Sequence, residues 1–353
     1  MYNTRIAGVG KFVPEKVVTN HDLEKMMDTS DEWIRERTGI EERHWLRRGE
    51  ETSSTMGAKA AKIAIEKAGI TPEDIDFIIF ATLSPDYFFP GNGVLLQRHL
   101  GITNKEVGAL DIRNQCSGFI YGLEVADQFI KTGKYKNILL VGAEFHSGGL
   151  DISTRGRGLS VLFGDGAGAV VLQPVEDNNK GVLTTHIHSD GTNAEILSAT
   201  IPGMHGGYYA EDDSIFGFDD STEHPFVLLT QKMMDDNMIF PYMDGQAVFK
   251  TAVRKFPEVI IEGLKTAGLT TKDVKLVIPH QANLRISQFV QKILRLTDDQ
   301  MFNNIQKYGN TTAASIPIAL SEVLEQGLLE DGDVLVLAAF GSGFTWGSAV
   351  IRW

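Results

Sequence analysis

A single cysteine, Cys116, among 353 residues excludes an intramolecular disulfide and suits a reducing compartment. No run of 18 apolar residues is present to span a membrane. The opening stretch MYNTRIAGVGKFVPEK lacks the charged-then-apolar order of a signal peptide, so a cytoplasmic protein with no membrane partner is expected. Basic residues are outnumbered, with 33 Lys and Arg against 46 Asp and Glu and a net charge of −13. That field argues against general nucleic-acid binding, and an acidic partner would need a local basic patch. What remains is ordinary for a soluble globular protein: 42% hydrophobic, 22% charged, and long enough for two domains or one large double unit.

The lone cysteine sits in the stretch ALDIRNQCSGFIYGLEVADQFIKTG, residues 109–133. Ala109 to Ile112 ends a strand, and Arg113, Asn114 and Gln115 make a polar turn. From Ser117 onward Phe119, Ile120, Leu123, Ala126, Phe129 and Ile130 recur at helical spacing until Gly133 stops the helix. Cys116 therefore stands where a strand meets a helix N-terminus, whose unpaired N–H groups favour a thiolate. Taken alone, it could equally be a buried small hydrophobe.

The other segments alternate. Residues 5–10 read as a strand, Asp28 to Glu32 cap a short helix holding Trp33, Ile34 and Arg37, and Thr52 to Gly69 form an amphipathic helix with Met56, Ala60, Ile63 and Ala64 on one face. Asp76 to Thr82 and Asn137 to Ala143 are apolar enough for the middle of a covered sheet. Between them a loop carries Phe88 and Phe89, followed by a helix from about Val94 to Leu100. Strands separated by helices imply a layered α/β fold. The glycines of LSVLFGDGAGAVVL, residues 159–172, invite a phosphate-loop reading, but a strand follows them rather than a helix. A tight strand–turn–strand crossing is expected there and again at Gly341-Ser342-Gly343. His186 and His188 alternate onto one strand face with nothing nearby to complete a metal site, and are expected on the solvent side.

The two halves of the chain repeat one another. Ala68-Gly69-Ile70-Thr71-Pro72-Glu73-Asp74-Ile75 parallels Ala267-Gly268-Leu269-Thr270-Thr271-Lys272-Asp273-Val274, an offset of 267 − 68 = 199. The helix ending at Gly133 parallels one ending at Gly327, an offset of 327 − 133 = 194, which carries Cys116 to Asn310. The first offset sets His280 just beyond an equivalent strand end, where open α/β sheets place their sites. His280 could be a loop histidine and Asn310 a helix cap; together with Cys116 they describe a Cys–His–Asn site, with no metal.

A thiolate at a helix N-terminus attacks thioesters. A histidine and an asparagine that both donate hydrogen bonds would stabilise an enolate oxygen, which suits carbon–carbon bond formation better than hydrolysis. The backbone N–H of Cys116 and one near Ser342 would form the oxyanion hole of the acyl–cysteine step.

Gln115-Cys116-Ser117-Gly118-Phe119, Phe163-Gly164-Asp165-Gly166-Ala167-Gly168-Ala169, Pro279-His280-Gln281-Ala282-Asn283-Leu284-Arg285, Tyr308-Gly309-Asn310-Thr311 and Phe340-Gly341-Ser342-Gly343-Phe344-Thr345-Trp346-Gly347 resemble β-ketoacyl-acyl-carrier-protein synthase III. The resemblance runs from residue 5 to the C-terminus. It implies an α/β thiolase-like fold of duplicated αβαβα halves about a pseudo-twofold axis, residues 1–175 holding the nucleophile and 176–353 the His/Asn pair. It also implies the initiation of fatty-acid synthesis: an acyl group passes from acyl-CoA to Cys116, and malonyl-acyl-carrier protein then condenses with it, with no cofactor. Trp33, Arg37 and Arg157 match residues that contact the CoA nucleotide. Gln246, Phe249 and Asn283 match the pantetheine tunnel, although Gln246 stands where an asparagine is expected. Phe89 matches a residue that crosses a homodimer interface into the partner's acyl pocket.

The carrier protein is acidic, so a basic docking patch is expected from Lys250, Arg254, Lys255, Arg285, Lys292 and Arg295. Between residues 190 and 245 the chain is longer than the family pattern and rich in aromatic, acidic and methionine residues. Phe226 to Met238 could form an extra helix over the acyl pocket, an adaptable lid for an unusual primer, or the segment could be a surface insertion. A relative serving a secondary-metabolite or long-chain pathway, or a catalytically silent carrier-protein partner, are the competing readings. A thioesterase is disfavoured because Asn310 replaces the acidic group that orients a hydrolytic histidine.

Overall fold

Apolar runs in each half become strands, and helices fill the spaces between them. The computed structural model describes residues 2–47, 49–204 and 228–353. The first sheet holds β1 (Asn3–Phe12), β2 (Phe77–Ala81), β3 (Gly108–Ile112), β4 (Ile138–Glu144) and β5 (Gly166–Val175), in the order β1-β5-β4-β2-β3. The second holds β6 (Gly181–Ser189), β7 (Val274–Pro279), β8 (Val334–Gly341) and β9 (Thr345–Arg352), in the order β7-β8-β9-β6. Pairing senses also repeat: β2 and β4 run parallel as β7 and β8 do, and β1 opposes β5 as β6 opposes β9. The counterpart of β3 has shrunk to one parallel bridge between Val277 and Met301.

The helices are α1 (Asp31–Thr38), α2 (Ser53–Lys67), α3 (Asn92–Leu100), α4 (Gly118–Lys131), α5 (Gly245–Thr266), α6 (Leu284–Leu294) and α7 (Ser315–Glu325). α4 and α7 lie between the sheets, where Phe119, Leu123, Ile316 and Leu320 join β2, β4, β7 and β8 in one core. Burying each such side chain contributes about 1.5–3 kcal/mol, so this layer is the main tie between halves. α2 and α3 cover the outer face of the first sheet, α5 and α6 that of the second.

The repeat is visible in atomic detail. Gly69 and Gly268 both close a helix at φ +69°. In the turns that follow, Thr71 donates its N–H and hydroxyl to Asp74 at 2.8 and 2.7 Å, and Thr270 does the same to Asp273 at 2.8 and 2.7 Å.

Some expectations shift. Ile63 is 37% exposed, because α2 turns its small residues to the sheet: a Cβ on Gly8 or Gly10 of β1 would meet the carbonyls of Ala64 and Ala60 at 2.1 and 2.2 Å. Before the glycines of β5 there is no strand but a helical turn, Arg157–Ser160, and an isolated bridge from Phe163 to Asn310. His186 and His188 do not face open solvent; α5 covers their strand and its Glu262 sits 2.7 Å from His188 Nε2 and 3.6 Å from His186 Nδ1. Of the expected helix over 226–238, the described part is a five-residue turn, Gln231–Asp235, with Met233 buried. Residues 205–227 of that segment lie outside the described residues.

Candidate active site

The topology brings segments from both halves of the chain around one cavity of about 840 Å3. Its wall includes Cys116, Asn310 and Gly341 deep in the fold, Phe249 and Asn283 further out, and Trp33 and Arg37 toward the surface. Leu197 and Met243, paired in a two-residue ribbon, contribute another side.

Cys116 lies in the 3-10 turn Gln115–Ser117 that leads from β3 into α4. Gln115 opens that turn at φ +41°. The sulfur rests against Gly341, where a Cβ would come within 3.0 Å of it and within 2.4 Å of the Cys116 Cβ. Backbone N–H groups of Cys116 and Ser342 both act on the sulfur and pull its pKa down, and Ser342 is held by its hydroxyl donating to the Leu197 carbonyl at 2.5 Å. The expected thiolate is not favoured in the free protein. Burial, and then the charge of Glu144, push the thiol up to about 12 against the pull of those two N–H groups.

His280 follows β7, is 2% exposed, and is driven by burial down to about 3, so its imidazole is neutral. Its Nδ1 lies 2.7 Å from Ser315 Oγ, while its Nε2 is buried with no partner among the described residues. Asn310 is fixed by its backbone, the N–H donating to Leu162 at 2.7 Å and the carbonyl accepting from Gly164 at 3.1 Å. Its Oδ1 accepts from the Thr312 N–H at 2.8 Å, which leaves Nδ2 for the cavity.

The offset that links Cys116 to Asn310 needs one correction. The turn Thr312–Ala314 before α7 is the counterpart of Gln115–Ser117, an offset of 312 − 115 = 197 rather than 194. Thr312 repeats the positive φ of Gln115, at +50°. Counting back from the helix ends hides this because α7 has 11 residues and α4 has 14. Cys116 thus matches Ala313, and Asn310 precedes its turn. The two turns nevertheless pack on each other.

At the mouth, two guanidiniums lie over the Trp33 ring, Arg37 at 4.5 Å and Arg157 at 5.3 Å. Asn283 caps α6 through its Oδ1 and donates Nδ2 to the Arg37 carbonyl at 2.9 Å, tying α6 to α1. Phe249 stands under Arg285 at 5.8 Å, and Gln246 is exposed in the first turn of α5. Lys250, Arg254, Arg285 and Lys292 are all exposed. Two of the expected basic group do not join them: Lys255 pairs with Glu258 and lies over Trp346, and Arg295 caps α6 beside a separate depression lined by Pro257 and Ile261. Phe89 is 82% exposed. Among the described residues no cluster of three His, Cys, Asp or Glu could hold a metal, and no helix is long and apolar enough to cross a membrane.

A family model for 3-oxoacyl-[acyl-carrier-protein] synthase III matches residues 110–191, and one for the C-terminal part of that enzyme matches residues 264–353. β-Ketoacyl-[acyl-carrier-protein] synthase III of Caldanaerobacter subterraneus subsp. tengcongensis is 42% identical over 348 residues, covering 99% of this chain and 97% of its own. The chain belongs to the 3-oxoacyl-[acyl-carrier-protein] synthase III family. Its fold is accordingly thiolase-like, and it is an acyltransferase-type condensing enzyme. The crystal structure of the Aquifex aeolicus 3-oxoacyl-[acyl-carrier-protein] synthase III superposes with a TM-score of 0.85 at 42% identity, covering 99% of this chain and 100% of that one. The priming β-ketosynthase of the R1128 polyketide pathway gives 0.84 at 29% identity, covering 99% of this chain and 96% of that one.

Several residues around this synthase site carry no signal in the sequence. Glu144 ends β4 and is wholly buried, taking hydrogen bonds from Thr82, Leu83 and Ser84; burial raises it to about 7. His146, Thr312 and Ser315 lie one hydrogen bond from His280 or Asn310 or from their partners, but each is a common residue type in an ordinary stretch.

Proposed function

We propose that this condensing enzyme works in two steps around Cys116, His280 and Asn310. In the first, acyl-CoA enters past Trp33, Arg37 and Arg157, with its pantetheine arm along Gln246, Phe249 and Asn283. The Cys116 sulfur attacks the thioester carbonyl, the oxygen is held by the N–H groups of Cys116 and Ser342, and the cysteine proton leaves on the CoA sulfur. In the second, malonyl-acyl-carrier protein loses carbon dioxide, and the electron pair of the broken bond forms an enolate. His280 Nε2 and Asn310 Nδ2 donate to the enolate oxygen while its carbon attacks the acyl–cysteine, giving 3-oxoacyl-carrier protein and freeing the sulfur. Ser315 Oγ accepts the Gln281 N–H at 3.4 Å and lies 2.7 Å from His280 Nδ1; in this mechanism it donates to Nδ1, and the imidazole proton then sits on Nε2. Both substrates bring their own activation, so the chemistry needs no cofactor.

The observation that carries this reading is the orientation of the two donors: a neutral His280 with an unpartnered Nε2 and an Asn310 whose oxygen is already occupied. Two donors and no acceptor suit an enolate, not a water to be deprotonated. Incubation with acyl-CoAs from acetyl to long-chain, read by intact mass with Cys116→Ala alongside, tests it. A Cys116-dependent adduct that malonyl-carrier protein then consumes is expected. The absence of any adduct would overturn the nucleophile. An adduct from acetyl-CoA supports the initiation of fatty-acid synthesis in the cytoplasm. Adducts from longer donors only would favour a priming role in a specialised pathway, the reading to which the likeness to the R1128 priming synthase points.

Two partners follow. Lys250, Arg254, Arg285 and Lys292 form the basic docking face for the acidic carrier protein on an otherwise acidic molecule. A second copy of the chain covers the exposed Phe88, Phe89 and Leu110 next to the edge strand β3, placing Phe89 in the neighbour's acyl pocket.

A further inference from the structure

Thr312 is β-branched yet adopts φ +50°, a conformation that crowds its side chain and persists only where neighbours enforce it. Two hydrogen bonds act on it. Its N–H donates to Asn310 Oδ1 at 2.8 Å, and its hydroxyl lies 2.7 Å from His146 Nε2. His146 is itself held firmly. Its ring packs on Phe163 at 4.6 Å, and the adjacent Ser147 donates its N–H and hydroxyl to the buried Asp165 at 2.8 and 2.5 Å. Burial, with His280 close by, keeps this second imidazole neutral.

An asparagine amide presents either its oxygen or its nitrogen to a given side. Here the Thr312 N–H decides which. A flipped Asn310 would bring Nδ2 against that N–H, donor to donor, and turn Oδ1 toward the cavity, where an enolate oxygen would be repelled. The decision depends on the turn at Thr312 staying in its strained form, and the only side-chain bond on that residue among the described residues comes from His146. Packing against Phe163 would be served as well by an apolar residue, so the imidazole is there for its hydrogen bond.

We propose that His146 is a positioning residue for the condensation step, acting through Thr312 to hold the Asn310 amide with its nitrogen toward the reacting oxygen. The inference rests on the enolate-binding role of Asn310 given above. It makes the two steps separable, because the hydrogen bonds that join His146, Thr312 and Asn310 end on neither Cys116 nor Ser342.

The test compares His146→Leu and the near-isosteric Thr312→Val with the unchanged protein, after a thermal melt confirms folding. Formation of the acyl–Cys116 adduct should proceed at the normal rate. Consumption of the adduct by malonyl-carrier protein should slow by roughly tenfold, less than the 10²–10³ typical when an oxyanion donor is removed outright. His146→Gln, whose amide reaches the same hydroxyl, should restore most of the rate. In an Asn310→Ala background, His146→Leu should have no further effect. Equal slowing of both steps, or an additive loss in the Asn310→Ala background, would overturn the inference. So would normal condensation by both variants beside a crippled Asn310→Ala. Normal condensation by Asn310→Ala would instead overturn the role of Asn310, and this inference with it.

Discussion

Gly341 and Cys116 approach so closely that residue 341 has no room for a side chain: its Cβ would lie 2.4 Å from the cysteine Cβ. The strand β8 thereby presses directly on the nucleophile and brings the next residue's N–H to its sulfur. Gly341→Ala should displace the cysteine turn, abolish adduct formation from acyl-CoA, and cost about 1–3 kcal/mol from overpacking. Intact mass and a urea melt check both; an alanine variant acylated at the normal rate would contradict the contact.

The proposed mechanism gives His280 and Asn310 to the second step. His280→Ala and Asn310→Ala should each lower the condensation rate by about 10²–10³ while leaving Cys116 acylation nearly intact. Rapid-quench measurement of adduct growth and decay separates the two rates. If acylation falls as far as condensation, the division of labour is wrong.

Acid should unfold the protein early. Burial takes His146 and His280 from their usual 6.5 to about 3, so between those values the unfolded chain binds protons that the folded chain does not, and stability falls as pH drops. Glu144 works the other way. Its carboxyl rises from 4.5 to about 7, so the folded state keeps a proton there and loses stability as pH rises through that window. Each proton held by only one of the two states changes stability by about 1.4 kcal/mol for every step of one in pH. Two histidines therefore outweigh one carboxyl, and stability should climb from pH 4.5 to 6.5. Urea midpoints across that range should steepen their rise in Glu144→Gln and flatten it in His146→Leu.

At the mouth, Arg37 and Arg157 both contact the Trp33 ring. In the proposed entry of acyl-CoA their charges would meet its phosphates before the chemistry begins, so Arg37→Ala and Arg157→Ala should raise the KM for acyl-CoA and leave kcat little changed. Each charge–ring contact at a partly exposed site contributes about 0.5–1 kcal/mol. Added salt should weaken the unchanged protein more than either variant. A fall in kcat alone would move these residues out of the recognition role.

Much of this is legible in the sequence because it rests on periodicity and repetition. The cysteine turn and the buried strands are local patterns and appear where the sequence predicts them, and the repeated stretches after Gly69 and Gly268 take the same local conformation. Cys116, Asn310 and Phe249 share one cavity wall, and His280 follows a strand end as the repeat predicts, although it does not itself line that wall. What stays hidden depends on three dimensions. The three-residue difference between α4 and α7 shifts the repeat register, and no one-dimensional count reveals which end of a helix is shortened. The protonated state of Cys116 escapes a sequence reading because helix-end charge is visible there while burial against Glu144 is not. His146 gives no pattern at all; only its contact with Thr312 marks it.

One place where the halves part company bears on assembly. The first sheet ends in the five-residue β3, while its counterpart in the second is a single bridge at Met301. A lone bridge offers no row of N–H and C=O groups for another chain to extend. In the homodimer proposed above, association through β3 would pair the same edge on both copies, a self-complementary contact that closes at two. The bridge at Met301 gives the second half no equivalent seam, so the arrangement would join two copies and stop there.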